Sequence, residues 1–318
     1  MTVKLNRSPR VSVVIPAYNS DSFISRAIDS VLSQTYEDYE IIVVDDGSVD
    51  FTQDVVSRYC ERVKYIKQEN MGAGAARNRA VQGSKGEYIA FLDADDAWGP
   101  EKLEKQVAFL DDFPGYVMVY SDMSHFEDDI KINDSYLHER DYKWVASGRI
   151  FMNLLRECFI FTPTVMVRKC CFNSVGGFDV SLKTCQDVDL WIRISSKNNI
   201  GYIDEPLALR YAHSMNSTKN ADNYLHYPIV MFLKVYETHT DSVVRGIVKA
   251  RLGELYFNLG YHQFRSNRFA ASRASMMKGV RYSSHVTSNL KYIVLSLFPQ
   301  RAVDVMREIG SNRLGRRS

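Results

Sequence analysis

The stretch that most constrains the fold of this 318-residue chain is Gly86–Trp98, where an apolar run leads directly into a group of carboxylates. Five consecutive apolar or aromatic residues, Tyr88–Leu92, precede Asp93, Asp95 and Asp96. A strand that is covered on both faces is continuously apolar, and ligands of open α/β sheets bind beyond the carboxyl ends of such strands. The stretch therefore predicts a buried strand that ends at a binding crevice.

The carboxylates of this stretch have two interpretations. Asp93 and Asp95 stand two residues apart, so at a strand end they point to the same side and can bind one hard cation. Such a cation prefers oxygen ligands and keeps positions open for phosphate. Alternatively, the group is a solvated acidic turn in which an Asp caps a helix before Pro100.

Composition describes an ordinary globular chain, with 45% hydrophobic and 25% charged residues, long enough for one large or two smaller domains. Its five cysteines have no zinc-type spacing, and their odd number argues against a disulfide framework. Residues 1–10 lack a signal-like apolar region, and the longest later apolar run, Tyr292–Phe298, is too short to span a bilayer. We therefore expect a cytoplasmic protein.

The formal net charge of +2 is unevenly distributed. Residues 261–318 hold 11 of the 40 Lys and Arg but only two of the 38 Asp and Glu. This segment is therefore a candidate for contact with an anionic surface, such as the inner face of a membrane. The remainder of the chain is acidic, and we expect no nucleic-acid partner.

Apolar runs alternate with amphipathic segments in the first third of the chain. Val11–Ala17, Tyr39–Val44 and Val63–Lys67 predict strands, and helical patterns follow each of them. This alternation predicts a parallel, doubly wound sheet with right-handed crossovers.

Parallel strands bring their carboxyl ends to one edge of a sheet, so three loops should line one crevice. They are Pro16–Asn19, Asp45–Ser48 and Asp93–Asp96. Two acidic strand ends in one crevice repel each other unless a cation or hydrogen-bond donors lie between them. A nucleotide diphosphate with a divalent metal ion supplies both.

The second half of the chain gives a less regular pattern. It predicts a helix at Pro100–Asp112, a strand at Tyr116–Tyr120, an irregular loop to about Ser147, a helix at Arg149–Glu157, a strand at Phe159–Arg168 and a helix at Gln186–Ile194. From about Ala221 the pattern is helical, with spacing that faintly suggests a tetratricopeptide-like hairpin. We expect a catalytic domain at 1–218 and a helical region at 219–318.

Six motifs together resemble glycosyltransferase family two. They are VSVVIPAYN (11–19), VVDDGSVD (43–50), NMGAGAARN (70–78), YIAFLDADDAW (88–98), GGFD (176–179) and QDVDLWIR (186–193). The resemblance covers about residues 9–218. It implies a GT-A fold, that is, a Rossmann-like, mostly parallel sheet with helices on both faces. It also implies a nucleotide-sugar donor, usually a UDP-sugar, a Mn²⁺ or Mg²⁺ ion, a glycan or lipid-linked acceptor, and inversion at the anomeric carbon.

The resemblance assigns the donor site to several loops. Pro16, Ala17 and Tyr18, with Asn19 in the same loop, are expected against the nucleoside. Asp45 or Asp46 is expected to accept hydrogen bonds from the base or ribose, and the alternative is a helix-capping turn.

Two further residues, Arg77 and Asn78, are expected near the donor. The alternative for Arg77 is a charge on the surface of a helix.

The metal ion is assigned to the Asp93-Ala94-Asp95 motif, where Asp95 is the expected direct ligand and Asp93 contacts ribose or metal-bound water. His213 resembles the family's loop histidine, which reaches the diphosphate or completes the metal shell. The alternative is a structural histidine.

Asp187 matches the general base of the family, which would take the proton from the acceptor hydroxyl. The family motif has Glu before this Asp, whereas this chain has Gln186, and the lost negative charge should lower the pKa of the base. Asp189 is the rival candidate. Two residues further along a helix, it points about 200° away.

Other classes of protein remain alternatives. Gly72–Arg77 resembles part of a dinucleotide-binding loop, with Asp93 or Asp95 as its acidic partner, which would suit a nicotinamide oxidoreductase. Gln186 in place of Glu would suit a non-catalytic nucleotide-sugar binder. A nucleotidyltransferase is disfavoured because no glycine-rich triphosphate loop follows the first strand.

The C-terminal tail has the composition of an interfacial helix. Apolar residues fall on one helical face (Ala302, Val305, Met306, Ile309), and arginines supply charge (Arg301, Arg307, Arg313, Arg316, Arg317). The alternative is a helix packed on the protein with a solvated end.

Overall fold

The computed structural model describes residues 8–127, 129–212, 221–282 and 286–297. The chain divides into two compact units, Met1–Ser217 and Thr218–Ser318. The first is built on a β-sheet and the second is helical. Within the described ranges, no helix combines the length and the apolar content that a membrane span needs.

Four parallel strands form one end of the sheet in the first unit. They are β1 (Val11–Ala17), β2 (Tyr39–Asp45), β3 (Val63–Lys67) and β4 (Tyr88–Phe91), in the spatial order β3-β2-β1-β4. Three helices connect them: α1 (Ile24–Leu32), α2 (Thr52–Ser57) and α3 (Ala73–Gln82). The predicted alternation of strand and helix is confirmed here.

The other strands make the sheet mixed. They are β5 (Ala97–Trp98), β6 (Tyr116–Glu127), β7 (Ile130–Asn133), β8 (Met166–Arg168) and β9 (Asn199–Ala212). β8 lies antiparallel between β4 and β6, β9 runs parallel to β6, and β5 and β7 pair antiparallel with β9 and β6. The α/β fold class is confirmed, and the all-parallel arrangement is confined to strands β1 to β4.

The prediction of an irregular loop after Tyr120 is wrong for much of its length. β6 continues to Glu127 and forms a hairpin with β7, and a short helix, α5 (Tyr136–Glu139), follows. Polar residues of this strand are buried because they find partners inside the protein. Asp122, for example, accepts hydrogen bonds from the backbone N–H groups of Met123 and Leu137 and from the hydroxyl of Ser135.

The predicted strand at Phe159–Arg168 is also mostly wrong, since only its last three residues form β8. The preceding turn is a 3₁₀-helix, η1 (Thr162–Thr164), which is buried. The remaining helices of the unit are α4 (Lys102–Asp112), α6 (Phe151–Arg156), α7 (Lys169–Ser174) and α8 (Gln186–Ser195).

The hydrophobic core of the first unit joins the sheet to its helices. Helix α1 buries four residues at the i, i+3, i+4 and i+7 spacing of one helical face: Ile24, Ala27, Ile28 and Val31. They belong to one cluster with the inward residues of β1, β2 and β4 and with the apolar face of α4. This core holds the carboxyl ends of the parallel strands in register.

The second unit consists of α9 (Ala221–Thr238), α10 (Ser242–Arg265), α11 (Phe269–Tyr282) and α12 (Val286–Leu295). Helices α10 and α11 pack as the predicted hairpin. At their contact the hydroxyl of Ser272 donates to the carbonyl of Gly260 at 2.7 Å. The arginine-rich tail predicted to be an interfacial helix lies outside the described residues.

Candidate active site

The ends of β1 and β2 are joined by hydrogen bonds between their loops. Ala17 pairs with Asp45 in the sheet, and the backbone N–H of Asp46 donates to the carbonyl of Ala17 at 2.8 Å. Asn19 has a left-handed backbone, which Asn tolerates better than most residues. Its N–H donates to the hydroxyl of Ser48, and its side-chain oxygen accepts from the N–H of Val49.

The predicted nucleoside loop is half open to solvent. Pro16 and Ala17 are buried, because they end β1, whereas Tyr18 and Asn19 are exposed. Tyr18 is 51% exposed, so its ring is available to a ligand at this edge of the sheet.

Asp45 and Asp46 are buried and bonded within the protein. Asp45 accepts from the backbone N–H of Ser48 at 2.8 Å and from the hydroxyl of Tyr65 at 2.5 Å. Asp46 accepts from the side chain of Gln68 and from the backbone N–H groups ahead of α3, at Met71 and Gly72. Both carboxylates therefore hold the loops in place, and Asp46 is bonded to the backbone just before α3.

Arg77 lies on the buried face of α3 and pairs with Asp93. Its guanidinium donates to Asp93 at 2.5 Å, and its side chain is 10% exposed. The guanidinium also lies 5.3 Å from the ring centroid of Phe178. Arg77 is therefore not a freely solvated charge on the surface of the helix. Its guanidinium is held beside Asp93, the first carboxylate of the acidic turn Asp93–Asp96.

The acidic turn follows β4 directly, and the N–H of Asp96 donates to the carbonyl of Asp93. Asp96 is buried and accepts from the backbone N–H of Tyr211 at 2.9 Å. Burial and the nearby charges of Asp95 and Asp93 raise the pKa of Asp96 well above its usual range. The carboxylate oxygens of Asp93 and Asp95 are of the kind that a hard divalent cation prefers, and such an ion would relieve the repulsion within the turn.

This turn is also tied to α1. The guanidinium of Arg26 donates to the carbonyl of Asp95 at 3.1 Å and lies 3.5 Å from the ring centroid of Tyr211. Arg26 is a site residue that the sequence analysis did not name, and nothing in the sequence marks it. Asp96 was named there only as a member of the acidic group, without a role of its own.

The metal prediction can be followed only in part, because His213 lies outside the described residues. Among the residues that are described, no group of three or more His, Cys, Asp and Glu side chains is arranged to hold a metal ion. Asp93 and Asp95, with Ala94 buried between them, supply carboxylate oxygens on one short turn.

Asp187 stands at the start of α8 and is held on both carboxylate oxygens. Oδ1 accepts from the backbone N–H of Val188 at 2.9 Å, and Oδ2 accepts from the hydroxyl of Thr162 at 3.3 Å. Burial raises the pKa of Asp187, and the charge of Arg77 acts in the opposite direction while that of Asp93 acts in the same one. The predicted base therefore lies in one electrostatic cluster with Arg77 and Asp93.

Asp189 has a different set of contacts from Asp187. It is buried and accepts two hydrogen bonds from the guanidinium of Arg193, at 2.6 and 2.8 Å. Arg193 also donates to the carbonyls of Val175 and Gly177. Through Arg193, Asp189 therefore holds α8 against the GGFD loop (Gly176–Asp179), which precedes the helix.

Gln186 packs against the first turn of α3. A Cβ atom at Gly74 would lie 2.5 Å from its side-chain oxygen, so a larger residue there would displace the end of the Gln186 side chain. The amide nitrogen of Gln186 donates to the carbonyl of Leu182. The neutral residue that replaces the family's Glu thus has a packing role between α3 and α8.

Asn78 bonds to the GGFD loop through both atoms of its amide. Its nitrogen donates to the carbonyl of Phe178, and its oxygen accepts from the N–H of Phe178, each at 2.9 Å. Asn78 therefore holds this loop beside α3, next to Arg77.

Cys185, which precedes α8, is not available as a thiolate. Burial and the neighbouring Asp187 and Asp189 raise its pKa to about 12. A thiol with this pKa stays protonated at neutral pH and is a weak nucleophile.

Comparison with known proteins identifies the family. The model of glycosyl transferase family 2 matches residues 12–172, about half of the chain. An uncharacterized glycosyltransferase of Rickettsia typhi is 33% identical over 225 residues, which cover 69% of this chain and 69% of that protein. The chain belongs to glycosyl transferase family 2.

Other relatives differ in length and in what their names state. The matched segment spans only 36% of an uncharacterized glycosyltransferase of Rickettsia felis, at 34% identity and with 70% of this chain covered. The Escherichia coli protein WfgD, named as a UDP-Glc:alpha-D-GlcNAc-diphosphoundecaprenol beta-1,3-glucosyltransferase, is 35% identical over 61% of this chain and 73% of its own length.

Solved structures confirm the GT-A-like fold. TarS of S. aureus, in complex with UDP-GlcNAc, matches with a TM-score of 0.68 at 16% identity, over 94% of this chain and 92% of that one. The mannosyltransferase PcManGT of Pyrobaculum calidifontis, in complex with GDP-Man and Mn²⁺, matches with a TM-score of 0.59 at 19% identity, over 92% and 82% of the two chains.

Proposed function

We propose that this glycosyltransferase is a metal-dependent, inverting enzyme that transfers a sugar from a UDP-sugar to a glycan or lipid-linked acceptor during synthesis of a cell-surface polysaccharide or glycoconjugate. One observation carries the proposal. The Arg77–Asp93 pair and the carboxylate of Asp187 share one electrostatic cluster beside the acidic turn after β4. That cluster combines the charges that a diphosphate leaving group and an acceptor hydroxyl require.

Asp187 acts as the general base in this proposal. Its carboxylate takes the proton from the acceptor hydroxyl, whose oxygen attacks the anomeric carbon from the side opposite the diphosphate. A single displacement inverts the configuration and needs no protein nucleophile. The protonated thiol of Cys185, two residues before the base, is consistent with such a mechanism.

The donor is held by the loops at the carboxyl ends of β1, β2 and β4. Tyr18 and Asn19 lie against the nucleoside, with Pro16 and Ala17 forming the buried floor of the loop. In this proposal Asp45 and Asp46 shape this part of the site, and one of the two carboxylates accepts a hydrogen bond from the base or ribose.

The diphosphate belongs at the acidic turn. Mn²⁺ or Mg²⁺ held by Asp95 and Asp93, with His213 as a further ligand, would offset the charge that develops on the departing diphosphate. Arg77 supplies a second positive charge beside Asp93, and Asn78 keeps the adjoining loop in place. The names of WfgD and of the TarS complex support UDP as the nucleotide.

A panel of nucleotide sugars tests this proposal, with thermal shift and turnover measured in Mn²⁺, in Mg²⁺ and in chelator. We expect one UDP-sugar to stabilise the protein and to be turned over only with metal. Full activity in chelator contradicts the metal role. Stabilisation without turnover on any acceptor favours a binding protein, and stabilisation by NADH alone favours an oxidoreductase.

We also propose that the C-terminal region places the enzyme on an anionic membrane surface, where lipid-linked acceptors reside. On α12 and the turn after it, Leu290, Val294 and Leu297 are spaced as one helical face, and each is about half exposed or more. The arginines of residues 298–318 would add about 1 kcal/mol each at an anionic leaflet, so the attachment is reversible and weakened by salt.

Liposome co-sedimentation tests the membrane proposal. The full chain should pellet with anionic vesicles at low salt, and a chain that ends near Tyr292 should not. Equal behaviour of the two contradicts it.

A further inference from the structure

A fully buried lysine on α4 has no evident role in the reaction described above. Lys102 is 0% exposed, and within the described part of the chain no carboxylate pairs with its amine. Its Nζ donates to the side-chain oxygen of Gln106 at 2.6 Å and lies 4.2 Å from the ring centroid of Trp98. Burial lowers the pKa of Lys102 well below its usual range. Burial of an amine without a paired carboxylate destabilises the folded protein, so a residue of this kind is expected to have a specific role.

The two partners of Lys102 both hold the buried turn η1. The amide nitrogen of Gln106 donates to the carbonyl of Thr164 at 2.8 Å. The indole N–H of Trp98 donates to the carbonyl of Pro163, also at 2.8 Å. Two of the three carbonyls of η1 are therefore bonded to side chains from outside the turn.

The same turn carries the hydroxyl that reaches the proposed base. Thr162 donates to Oδ2 of Asp187 at 3.3 Å, while the backbone of Val188 donates to Oδ1. With one donor on each oxygen, the rotation of the carboxylate is fixed. A displacement of η1 would release one of these two restraints.

Lysine differs from an apolar residue here because it fixes the orientation of the Gln106 amide. Nζ of Lys102 donates to the oxygen of that amide, and the carbonyl of Thr164 can only accept, so the two contacts together give the amide one orientation. Without the amine, the buried oxygen of Gln106 loses its donor, and the amide is free to turn away from Thr164.

We propose that Lys102, Gln106 and Trp98, together the α4 clamp, are positioning residues that hold η1 so that Thr162 orients the carboxylate of Asp187. This proposal rests on the assignment of Asp187 as the base. None of the three clamp residues is assigned to the donor site, so loss of the clamp should affect the chemical step and leave donor binding intact.

Two variants break the clamp in different ways. Lys102→Met keeps the buried stem and removes the amine, whereas Gln106→Glu keeps an oxygen for Lys102 and removes the donor to Thr164. Val107→Ala is the matched control, because Val107 is buried on the same helix and has an apolar side chain that makes no such hydrogen bond. Thr162→Val removes the last link to Asp187.

Hydrogen exchange of the free protein and steady-state kinetics measure the outcome, with the UDP-sugar that the panel identifies. Both clamp variants should raise exchange in peptides that span η1 and lower kcat about tenfold or more, with the donor KM within about twofold, because small misplacements of a catalytic group cost rate. Val107→Ala should do neither. Lys102→Met combined with Thr162→Val should lose little more kcat than Thr162→Val alone.

Two results overturn the proposal. One is unchanged exchange at η1 in both clamp variants. The other is raised exchange with kcat equal to that of Val107→Ala. If Lys102→Met does not fold, Gln106→Glu and Thr162→Val decide the question. Failure of the base assignment is recognised separately, since Asp187→Asn would then retain its turnover.

Discussion

Asp187 and Asp189 stand two residues apart on α8, and the fold gives their carboxylates different partners. Asp189 is bonded to Arg193, which also holds the segment leading into the GGFD loop. Asp187 accepts hydrogen bonds from the hydroxyl of Thr162 and from the backbone N–H of Val188. The sequence could separate them only by the helical angle. The structure adds a physical reason, because the carboxylate of Asp189 is already used in an ion pair.

Replacement of Asp187 by Asn should leave donor binding nearly unchanged and lower kcat by about 10² to 10⁴, the usual contribution of a general base. Calorimetry with UDP and steady-state turnover measure the two quantities. Asp189→Asn is the matched control. It should lower the free energy of unfolding by about 1 to 3 kcal/mol through the weakened Arg193 pair, with kcat of the folded protein largely kept. If instead Asp189→Asn loses turnover and Asp187→Asn keeps it, Asp189 is the general base.

The pKa of Asp187 makes a prediction about the pH dependence of turnover. The base must be ionised to accept a proton, and burial raises its pKa above the ordinary value of about 3.9. Activity should therefore fall as the pH drops through this raised pKa, at a higher pH than an exposed aspartate would give. A kcat profile that stays flat to about pH 4 would contradict it.

At the scale of elements, the loop between α7 and α8 depends on one backbone position. Gly177 has φ of +68°, and a Cβ there would lie 2.7 Å from the side-chain oxygen of Asn78. Gly176 also has a positive φ, of +83°, but a Cβ there would have nothing within 4 Å. An alanine at Gly176 would therefore add only backbone strain, whereas an alanine at Gly177 would add backbone strain and a steric clash.

Gly177→Ala should destabilise the protein by about 2 to 4 kcal/mol, since it adds a clash to the cost of a left-handed residue. Gly176→Ala should cost only about 1 to 2 kcal/mol. Urea unfolding measures both. Equal losses would mean that Asn78 and the loop around Phe178 yield without cost.

Two glycines of α10 give a parallel comparison in the helical unit. A Cβ at Gly260 would lie 2.9 Å from the Met276 side chain on α11, whereas a Cβ at Gly246 would have nothing within 4 Å. Gly246→Ala should stabilise the helix by about 1 kcal/mol. Gly260→Ala should gain nothing or destabilise, because the buried side chain of Met276 must shift. Thermal melts decide it, and equal stabilisation by both would contradict close packing at Gly260.

At the scale of the whole molecule, the apolar strands were predictable and the polar ones were not. β1, β2 and β4 are mostly apolar because both faces of the sheet are covered there, so their periodicity and composition were enough to predict them. β6 contains the buried residues Asp122 and Ser124, whose side chains are hydrogen-bonded to Ser135 and to the carbonyl of Asp134, beyond β7. No local pattern encodes such partners.

The candidate site follows the same division. The carboxylates at strand ends could be predicted, because parallel topology brings those ends together. The contacts of Thr162, Arg26 and Gln106 could not, since each depends on how distant segments pack. The GT-A-like fold of the first unit was predictable from its motifs, whereas the antiparallel pairing of β8 and β6 was not.

The measurement that tests the central claim most directly is calorimetric titration of UDP with and without Mn²⁺, in the natural chain, in Asp95→Asn and in the control Asp112→Asn, an exposed aspartate on α4. If the acidic turn binds the diphosphate through a metal ion, Mn²⁺ should tighten UDP binding at least about tenfold, or about 1.4 kcal/mol, in the natural chain and in Asp112→Asn. Asp95→Asn should abolish this gain. Equal UDP affinity with and without Mn²⁺ in the natural chain, or a full gain in Asp95→Asn, would contradict the account.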